Sequence, residues 1–108
     1  MLKQASLSST SRLESEVYWQ KKALKDYQNW AETDPVILET INDLIDDIKR
    51  YGLKNPKRGG GQPKKLKREL KGWWSRQITR EEHRLVCRLQ RKGRSEPILE
   101  IAQCRGHY

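Results

Sequence analysis

The sequence has few of the residues that build covalent or metal-bound frameworks. Its 108 residues include two cysteines, two histidines and no phenylalanine. Cys87 and Cys104 are too few for the disulfide scaffold of a small secreted domain. Neither histidine has a Cys or an acidic pair at zinc-ligand spacing. We therefore expect reduced thiols, no bound metal and no cofactor.

Long hydrophobic runs are also missing. No apolar stretch approaches the roughly 20 residues of a membrane helix, and the N-terminus lacks the apolar core of a secretion signal. Residues 1–14 have no hydrophobic period, and we expect a flexible leader or a start codon chosen too far upstream. Their Ser-rich composition is also weakly typical of an organellar transit peptide. We expect one domain over residues 15–108, in the cytoplasm and without a membrane partner.

Positive charge is concentrated in the second half of the chain. The formal net charge is +9. Residues 1–55 hold eight Lys/Arg and nine Asp/Glu, which gives a net charge of −1. Residues 56–108 hold fifteen Lys/Arg and five Asp/Glu, which gives a net charge of +10. This asymmetry favours a face that binds a polyanion such as nucleic acid, and a basic surface without a partner is the alternative.

The apolar pattern predicts an α+β domain. A short β-prone run at 17–19 precedes helical spacing at 21–31. A second helix is predicted to start with Asp34 as cap and Pro35 as first residue, and to stop at Gly52. Strands follow at 66–70, 74–78, 84–89 and 98–105, with a hairpin turn at 91–96. We expect a two-helix hairpin packed on a small antiparallel β-sheet.

The residues left for chemistry are basic or aromatic. No Walker pattern follows the glycine run at 59–61, and no Gly-x-Ser-x-Gly elbow exists. Cations neutralise phosphate, rings stack on unpaired bases, and a histidine moves protons, so the set suits RNA binding or metal-free RNA cleavage. Its members are Lys64, Lys65, Lys67, Arg68, Trp73, Trp74, Arg76, His83, Arg84, Arg105, His107 and Tyr108.

Three motifs in order resemble a known family. They are Gly-Trp-Trp-Ser-Arg-Gln-Ile-Thr at 72–79, Glu-His-Arg-Leu-Val at 82–86 and Cys-Arg-Gly-His-Tyr at 104–108. Over residues 15–108 the sequence is similar to the YoeB branch of the RelE superfamily. The resemblance implies a RelE-like fold and a type II toxin, an mRNA interferase that cuts mRNA in the ribosomal A site. It implies a YefM-type antitoxin as partner, through which the pair reaches operator DNA.

The resemblance also implies roles for single residues. Arg84 would stabilise the scissile phosphate, His107 would protonate the leaving oxygen, and Tyr108 would orient the substrate. Lys64 occupies the position of the family's general base and completes the expected catalytic set. The expected RNA-binding residues are Lys65, Lys67, Arg68, Trp74, Arg76 and Arg105.

Four departures from the family pattern leave two hypotheses open. Lys64 replaces a carboxylate, Gln77 replaces an arginine, the turn at 79–82 is one residue longer, and Gly106 is expected to loosen the terminal strand. An ammonium group serves as a base only if its pKa is strongly lowered. Either a basic site lacking that carboxylate is active, as in RelE, or the chain is a weakened toxin that binds antitoxin and RNA in operon repression. Three other carboxylates are candidate replacements for the base: Glu69, Glu81 and Glu82.

Overall fold

The computed structural model describes residues 16–53, 62–90 and 97–107. The leader predicted at 1–14, the turn predicted at 91–96 and Tyr108 lie outside the described residues. Within those ranges the chain forms two α-helices, one short 3-10 helix (Arg68–Leu70) and five strands. In chain order the elements are β1 (Glu16–Trp19), α1 (Lys21–Thr33), α2 (Pro35–Tyr51), β2 (Lys64–Lys65), β3 (Trp74–Gln77), β4 (Arg84–Gln90) and β5 (Ile98–Gln103).

The strands form one sheet in the order β1-β5-β4-β3-β2. The pairs β2–β3, β3–β4 and β4–β5 are antiparallel, whereas β1 and β5 are parallel. Both helices separate β1 from the rest of the sheet, so no tight hairpin forces β1 to run antiparallel. The predicted α+β class is confirmed, and the sheet is mixed rather than wholly antiparallel.

The helix boundaries follow from local capping chemistry. The Asp34 carboxylate accepts the Ile37 N–H at 3.3 Å, and Pro35 takes the first turn, where no N–H donor is needed. Gly52 ends α2 with φ +91°, in the region that favours glycine. The predicted first residue, N-cap and end of α2 are confirmed. The Tyr27 hydroxyl donates to Asn42 Oδ1 at 2.6 Å, and the two residues lie at similar distances from Asp34 in sequence, as in a helix hairpin.

One face of the sheet packs on both helices and forms the hydrophobic core. Its main members are Ala23, Trp30, Ile41, Leu44 and Ile48 from the helices and Leu85, Cys87, Leu99 and Ile101 from the sheet. Cys87 and Cys104 are buried and free, and burial raises the pKa of each thiol to about 12. Neither thiol therefore ionises near neutral pH. No described helix is long and apolar enough to cross a membrane.

The prediction of a strand at residues 66–70 is wrong. The chain pairs only over Lys64–Lys65 and then forms the 3-10 helix. The Leu66 N–H donates to the Trp73 carbonyl at 3.0 Å, so the chain must reverse within a few residues to begin β3. Arg68, with φ +59°, contributes to that reversal. The apolar spacing of this segment therefore reflects a compact turn rather than a strand.

Arg76 is buried, and its predicted contact with RNA is wrong. Strand alternation turns it toward the helices, because its neighbours on β3 face the other side of the sheet. Its side chain is 0% exposed and Nη1 lies 3.0 Å from Asp47 Oδ2. Nη2 donates to the carbonyl oxygens of Gly52 and Leu53 at 3.1 and 3.0 Å. A guanidinium without exposed surface binds the end of α2 instead of a ligand.

Removing Asp47 should destabilise the fold strongly. Asp47→Ala leaves the Arg76 guanidinium buried without its carboxylate, which costs roughly 3–5 kcal/mol. Asp46→Ala, on the same helix, removes an exposed carboxylate 3.1 Å from Arg50, and we expect a change below about 1 kcal/mol. Urea unfolding measures both free energies. Equal losses in the two variants would contradict a structural role for the buried pair.

Candidate functional site

A cavity of about 290 Å³ opens on the sheet face opposite the helices. Its lining brings together three of the predicted catalytic residues, Lys64, Arg84 and His107. Tyr108 lies outside the described residues. The full lining is Gln62, Pro63, Lys64, Ser75, Gln77, Arg84 and His107. The cavity lies near the lower limit of ligand pockets, which is roughly 300 Å³, so it suits a small group such as one phosphodiester.

Strand register explains why these side chains meet. Lys64 pairs with Ser75 across β2 and β3, and Gln77 pairs with Arg84 across β3 and β4. Side chains two residues apart on a strand share a face, so Ser75 and Gln77 line the cavity while Arg76 turns away. Ser75 is not among the site residues predicted from sequence, and this alternation is the signal that would have identified it.

The Arg84 guanidinium is held by main-chain oxygen atoms. Its Nη1 donates to the carbonyl oxygens of Thr79 and His83, each at 3.2 Å. A guanidinium has five N–H donors, and among the described residues no protein acceptor bonds to Nε or Nη2 of Arg84. The group is therefore oriented from one side and retains donors for an anionic ligand.

The segment that precedes His107 is fixed by side chains of α1. We call residues 104–106 the terminal segment. The Trp30 indole donates to the Cys104 carbonyl at 2.9 Å, and Asp26 Oδ2 accepts the Cys104 N–H at 3.2 Å. The Lys22 ammonium donates to the Arg105 carbonyl at 3.3 Å and lies 2.8 Å from Asp26. Helix α1 thus determines where the terminal segment lies.

Gly106 is bound from the β4 side. Its N–H donates to His83 Nδ1 at 2.9 Å, and its carbonyl accepts the Arg84 N–H at 3.1 Å. The Gln103 amide also donates to that carbonyl at 3.1 Å. Gly106 has φ +85°, where a side chain is strained. The expected loosening at this glycine is wrong, because the glycine allows the turn that these bonds hold.

The cavity is positively charged. Lys64 and Arg84 supply the cations, and none of the described lining residues is acidic. The three carboxylates proposed as replacement bases, Glu69, Glu81 and Glu82, are exposed and do not line it. No three His, Cys, Asp or Glu side chains within the described ranges cluster as metal ligands. An anion such as phosphate is the ligand that this charge attracts.

A second, smaller cavity shares the lining residue Lys64 with the first. It has a volume of about 250 Å³ and is lined by Lys64, Lys65, Leu66, Lys67 and Leu70. Lys64 borders both cavities, so the predicted RNA-binding residues Lys65 and Lys67 lie beside the catalytic set. Exposed lysines in such a row suit a phosphate backbone that continues past the first cavity.

The other predicted RNA-binding residues do not line either cavity. Arg68 is exposed beyond the second cavity. Trp74 is half-buried on the sheet face opposite the first cavity, because it alternates with Ser75. Arg105 is exposed but donates to Asn29 Oδ1 at 2.7 Å, and its guanidinium lies 5.1 Å from the Trp30 ring centre.

A buried carboxylate lies on the same face of the sheet as the first cavity. Glu100 is 6% exposed and accepts hydrogen bonds from Gln20 at 2.7 Å, from Arg88 at 2.9 Å and from Gln90. Burial raises the pKa of Glu100, but the three donors outweigh burial and hold it below its usual value. The Arg88 guanidinium also stacks on the Trp73 ring, 4.3 Å from its centre.

The stabilising effect of Glu100 should depend on pH. A carboxylate with a lowered pKa stabilises the fold above the unfolded-state value of roughly 4.3, and this is lost as pH falls through the lower folded-state value. Glu100→Gln should therefore be less stable than the native chain at pH 7, with a difference that shrinks toward acid pH. Urea unfolding across pH tests this, with exposed Glu39→Gln as control. A difference independent of pH would contradict the assignment.

Comparison with known proteins identifies relatives along most of the chain. Residues 19–108 match a family model described as the YoeB-like toxin of bacterial type II toxin-antitoxin systems. Toxin YoeB of Escherichia coli K12 is 44% identical over 90 residues, which cover 83% of this chain and 95% of that protein.

Solved structures of similar chains have the same fold. The YoeB/ParE toxin from Agrobacterium tumefaciens superposes with a TM-score of 0.74 at 41% identity, covering 86% of this chain and 99% of that chain. A chain of the heterotetrameric YoeB–YefM toxin-antitoxin complex from Staphylococcus aureus gives a TM-score of 0.73 at 33% identity, covering 88% and 99%.

Proposed function

Because the chain belongs to the YoeB family of bacterial type II toxins, we propose that it is an endoribonuclease that cleaves mRNA in the ribosomal A site. The observation that carries the proposal is the acid-free cavity lined by Lys64, Arg84 and His107. The family membership supplies the substrate, and the cavity supplies the groups that phosphodiester cleavage needs.

The proposed reaction uses the RNA's own 2′-hydroxyl as nucleophile. Its oxygen bonds to the adjacent phosphorus, and the bond from phosphorus to the 5′-oxygen of the next nucleotide breaks. The 2′-hydroxyl proton passes to water, and His107 gives a proton to the departing 5′-oxygen. The products are a 2′,3′-cyclic phosphate on one fragment and a 5′-hydroxyl on the other.

Arg84 and Lys64 stabilise the charge that grows on the phosphoryl oxygens. The Arg84 guanidinium is already oriented by the two carbonyls that accept from Nη1, so little rearrangement is needed during the reaction. Lys64 adds a second cation from the neighbouring strand. Their effect is strongest when the ribosome and mRNA exclude water from the cavity, because charges interact more strongly in a low dielectric.

The RNA backbone is proposed to continue along the second cavity. Lys65 and Lys67 contact phosphates there, and Arg68 extends the basic row. Tyr108 follows His107 directly and orients the substrate, and Arg105 contacts RNA from the exposed edge of the terminal segment. These contacts position the substrate and carry no catalytic step.

A YefM-type antitoxin is the proposed protein partner. The support is the solved Staphylococcus aureus YoeB–YefM complex, whose toxin chain superposes on 88% of this chain. The ribosome and its mRNA are the other proposed partners, and operator DNA is reached only through the antitoxin.

Arg84→Ala and His107→Ala should each slow cleavage by a factor of roughly 100 or more. The first removes a guanidinium from the developing charge, a loss of roughly 10²–10³ in rate. The second removes the acid, a loss of roughly 10²–10⁴. Purified protein without antitoxin is added to ribosomes stalled on a defined mRNA, and primer extension maps the cut to the A-site codon.

Arg50→Ala is the matched control, since it removes a cation from the exposed side of α2. It should cleave at the native rate. Circular dichroism confirms that all three variants fold. Native rates in both Arg84→Ala and His107→Ala would rule out this site assignment.

A second candidate function is a non-catalytic toxin homologue that binds antitoxin and RNA and contributes to operon repression. The observation that favours it is Lys64, a cation lining the cavity where the family's general base is a carboxylate. Under this function, expression without antitoxin leaves growth unchanged while antitoxin binding is normal.

Substitution of Lys64 separates the two functions. If the chain cleaves RNA, Lys64→Met should slow cleavage roughly 100-fold, because one cation leaves the developing charge. Lys65→Met, which removes the adjacent lysine outside the first cavity, should have a smaller effect. If the chain is inactive, Lys64→Glu should instead create cleavage and growth arrest. Growth arrest by the native chain that depends on His107 excludes the second function.

A further inference from the structure

His83 is hydrogen-bonded to Arg84 and to the residue that precedes His107, the two residues that the proposed function needs. Its ring is 18% exposed and packs edge-on against the Trp30 indole, with ring centres 4.9 Å apart. Its Nδ1 accepts the N–H of Gly106 at 2.9 Å, and Gly106 directly precedes His107. Its carbonyl oxygen accepts from Arg84 Nη1 at 3.2 Å. One residue therefore contacts both the Arg84 guanidinium and the turn that carries His107.

The bond to Gly106 defines which ring nitrogen of His83 acts as acceptor. A ring nitrogen that accepts a hydrogen bond carries no proton, so the neutral imidazole has its proton on Nε2. That nitrogen lies 3.8 Å from the Glu82 carboxylate, beyond hydrogen-bond distance. The geometry thus requires an acceptor at the Nδ1 position. A side chain of similar size without an acceptor there cannot replace His83.

The main chain of His83 is itself held in place. Its N–H donates to Thr79 Oγ1 at 3.0 Å, and its carbonyl also accepts the Ile78 N–H at 3.0 Å. The turn before β4 is therefore fixed on both sides of the ring. A fixed ring transmits its position to Gly106 and hence to His107.

We propose that His83 is a positioning residue whose ring, through Nδ1 and Gly106, holds His107 in register with Arg84. The proposal rests on the proposed function for its catalytic consequence. Displacing a reacting group by about 1 Å costs roughly 100-fold in rate. His83 contributes no proton to the reaction and acts only through the terminal segment.

A pair of variants of nearly equal shape tests the acceptor. His83→Asn keeps an oxygen at the Nδ1 position, whereas His83→Leu fills similar space without an acceptor. Both lose the ring contact with Trp30, so the difference between them isolates the hydrogen bond. At saturating ribosomes His83→Leu should cleave roughly 100-fold more slowly than His83→Asn, with ribosome binding equal.

Nuclear magnetic resonance gives a readout that does not depend on cleavage. The Gly106 amide should exchange roughly two- to tenfold faster in His83→Leu than in His83→Asn, as the loss of one hydrogen bond predicts. The His107 ring resonances should keep native shifts in His83→Asn and move toward random-coil values in His83→Leu. In the native chain, nitrogen-15 shifts should show an unprotonated Nδ1 in His83, even if a variant fails to fold.

The outcomes separate the two proposals. If the native chain does not cleave but the Gly106 and His107 signals differ between the variants, the positioning role stands and the proposed function fails. Equal Gly106 exchange in the two variants, or a proton on Nδ1 in the native chain, overturns the positioning role. Where the native chain does cleave, equal cleavage rates in two variants whose Gly106 exchange differs also overturn it.

Discussion

The backbone of the terminal segment, residues 104–106, has left the sheet, so side chains replace strand pairing as partners for most of its polar groups. Buried backbone donors and acceptors must be paired, and α1 and the start of β4 supply the partners. Trp30, Asp26 and Lys22 bind one half of the segment, and His83 binds the other. The position of His107, and with it the composition of the cavity, depends on these bonds.

Each face of the sheet carries an arginine, and the two arginines lie in opposite environments. Arg76 points into the core, where Asp47 balances its charge and two carbonyls accept its remaining donors. Arg84, one strand away, points to the open face and keeps donors for a ligand. The two arginines therefore differ in which face of the sheet they lie on and in whether a carboxylate lies opposite.

Local chemistry in the sequence predicted the helices and most strands, because caps and periodicity act within a few residues. Lys64, Arg84 and His107 were grouped through the family resemblance. Strand register explains how Lys64 and Arg84 meet, and the bonds of the terminal segment explain the position of His107. Arg76 was misassigned because Asp47, its partner, lies on a different element far along the sequence. The parallel pairing of β1 and the reversal after β2 depend on tertiary packing, which local patterns do not contain.

The order of the strands also determines when the fold is complete during synthesis. Strand β5 lies between β1 and β4, so the two parts of the sheet cannot join before residues 98–103 have been made. Such long-range pairing forms late compared with helices. A growing chain can therefore pair β2, β3 and β4 before β5 is made, but it gains the complete sheet and the cavity only after β5 and the residues that follow it.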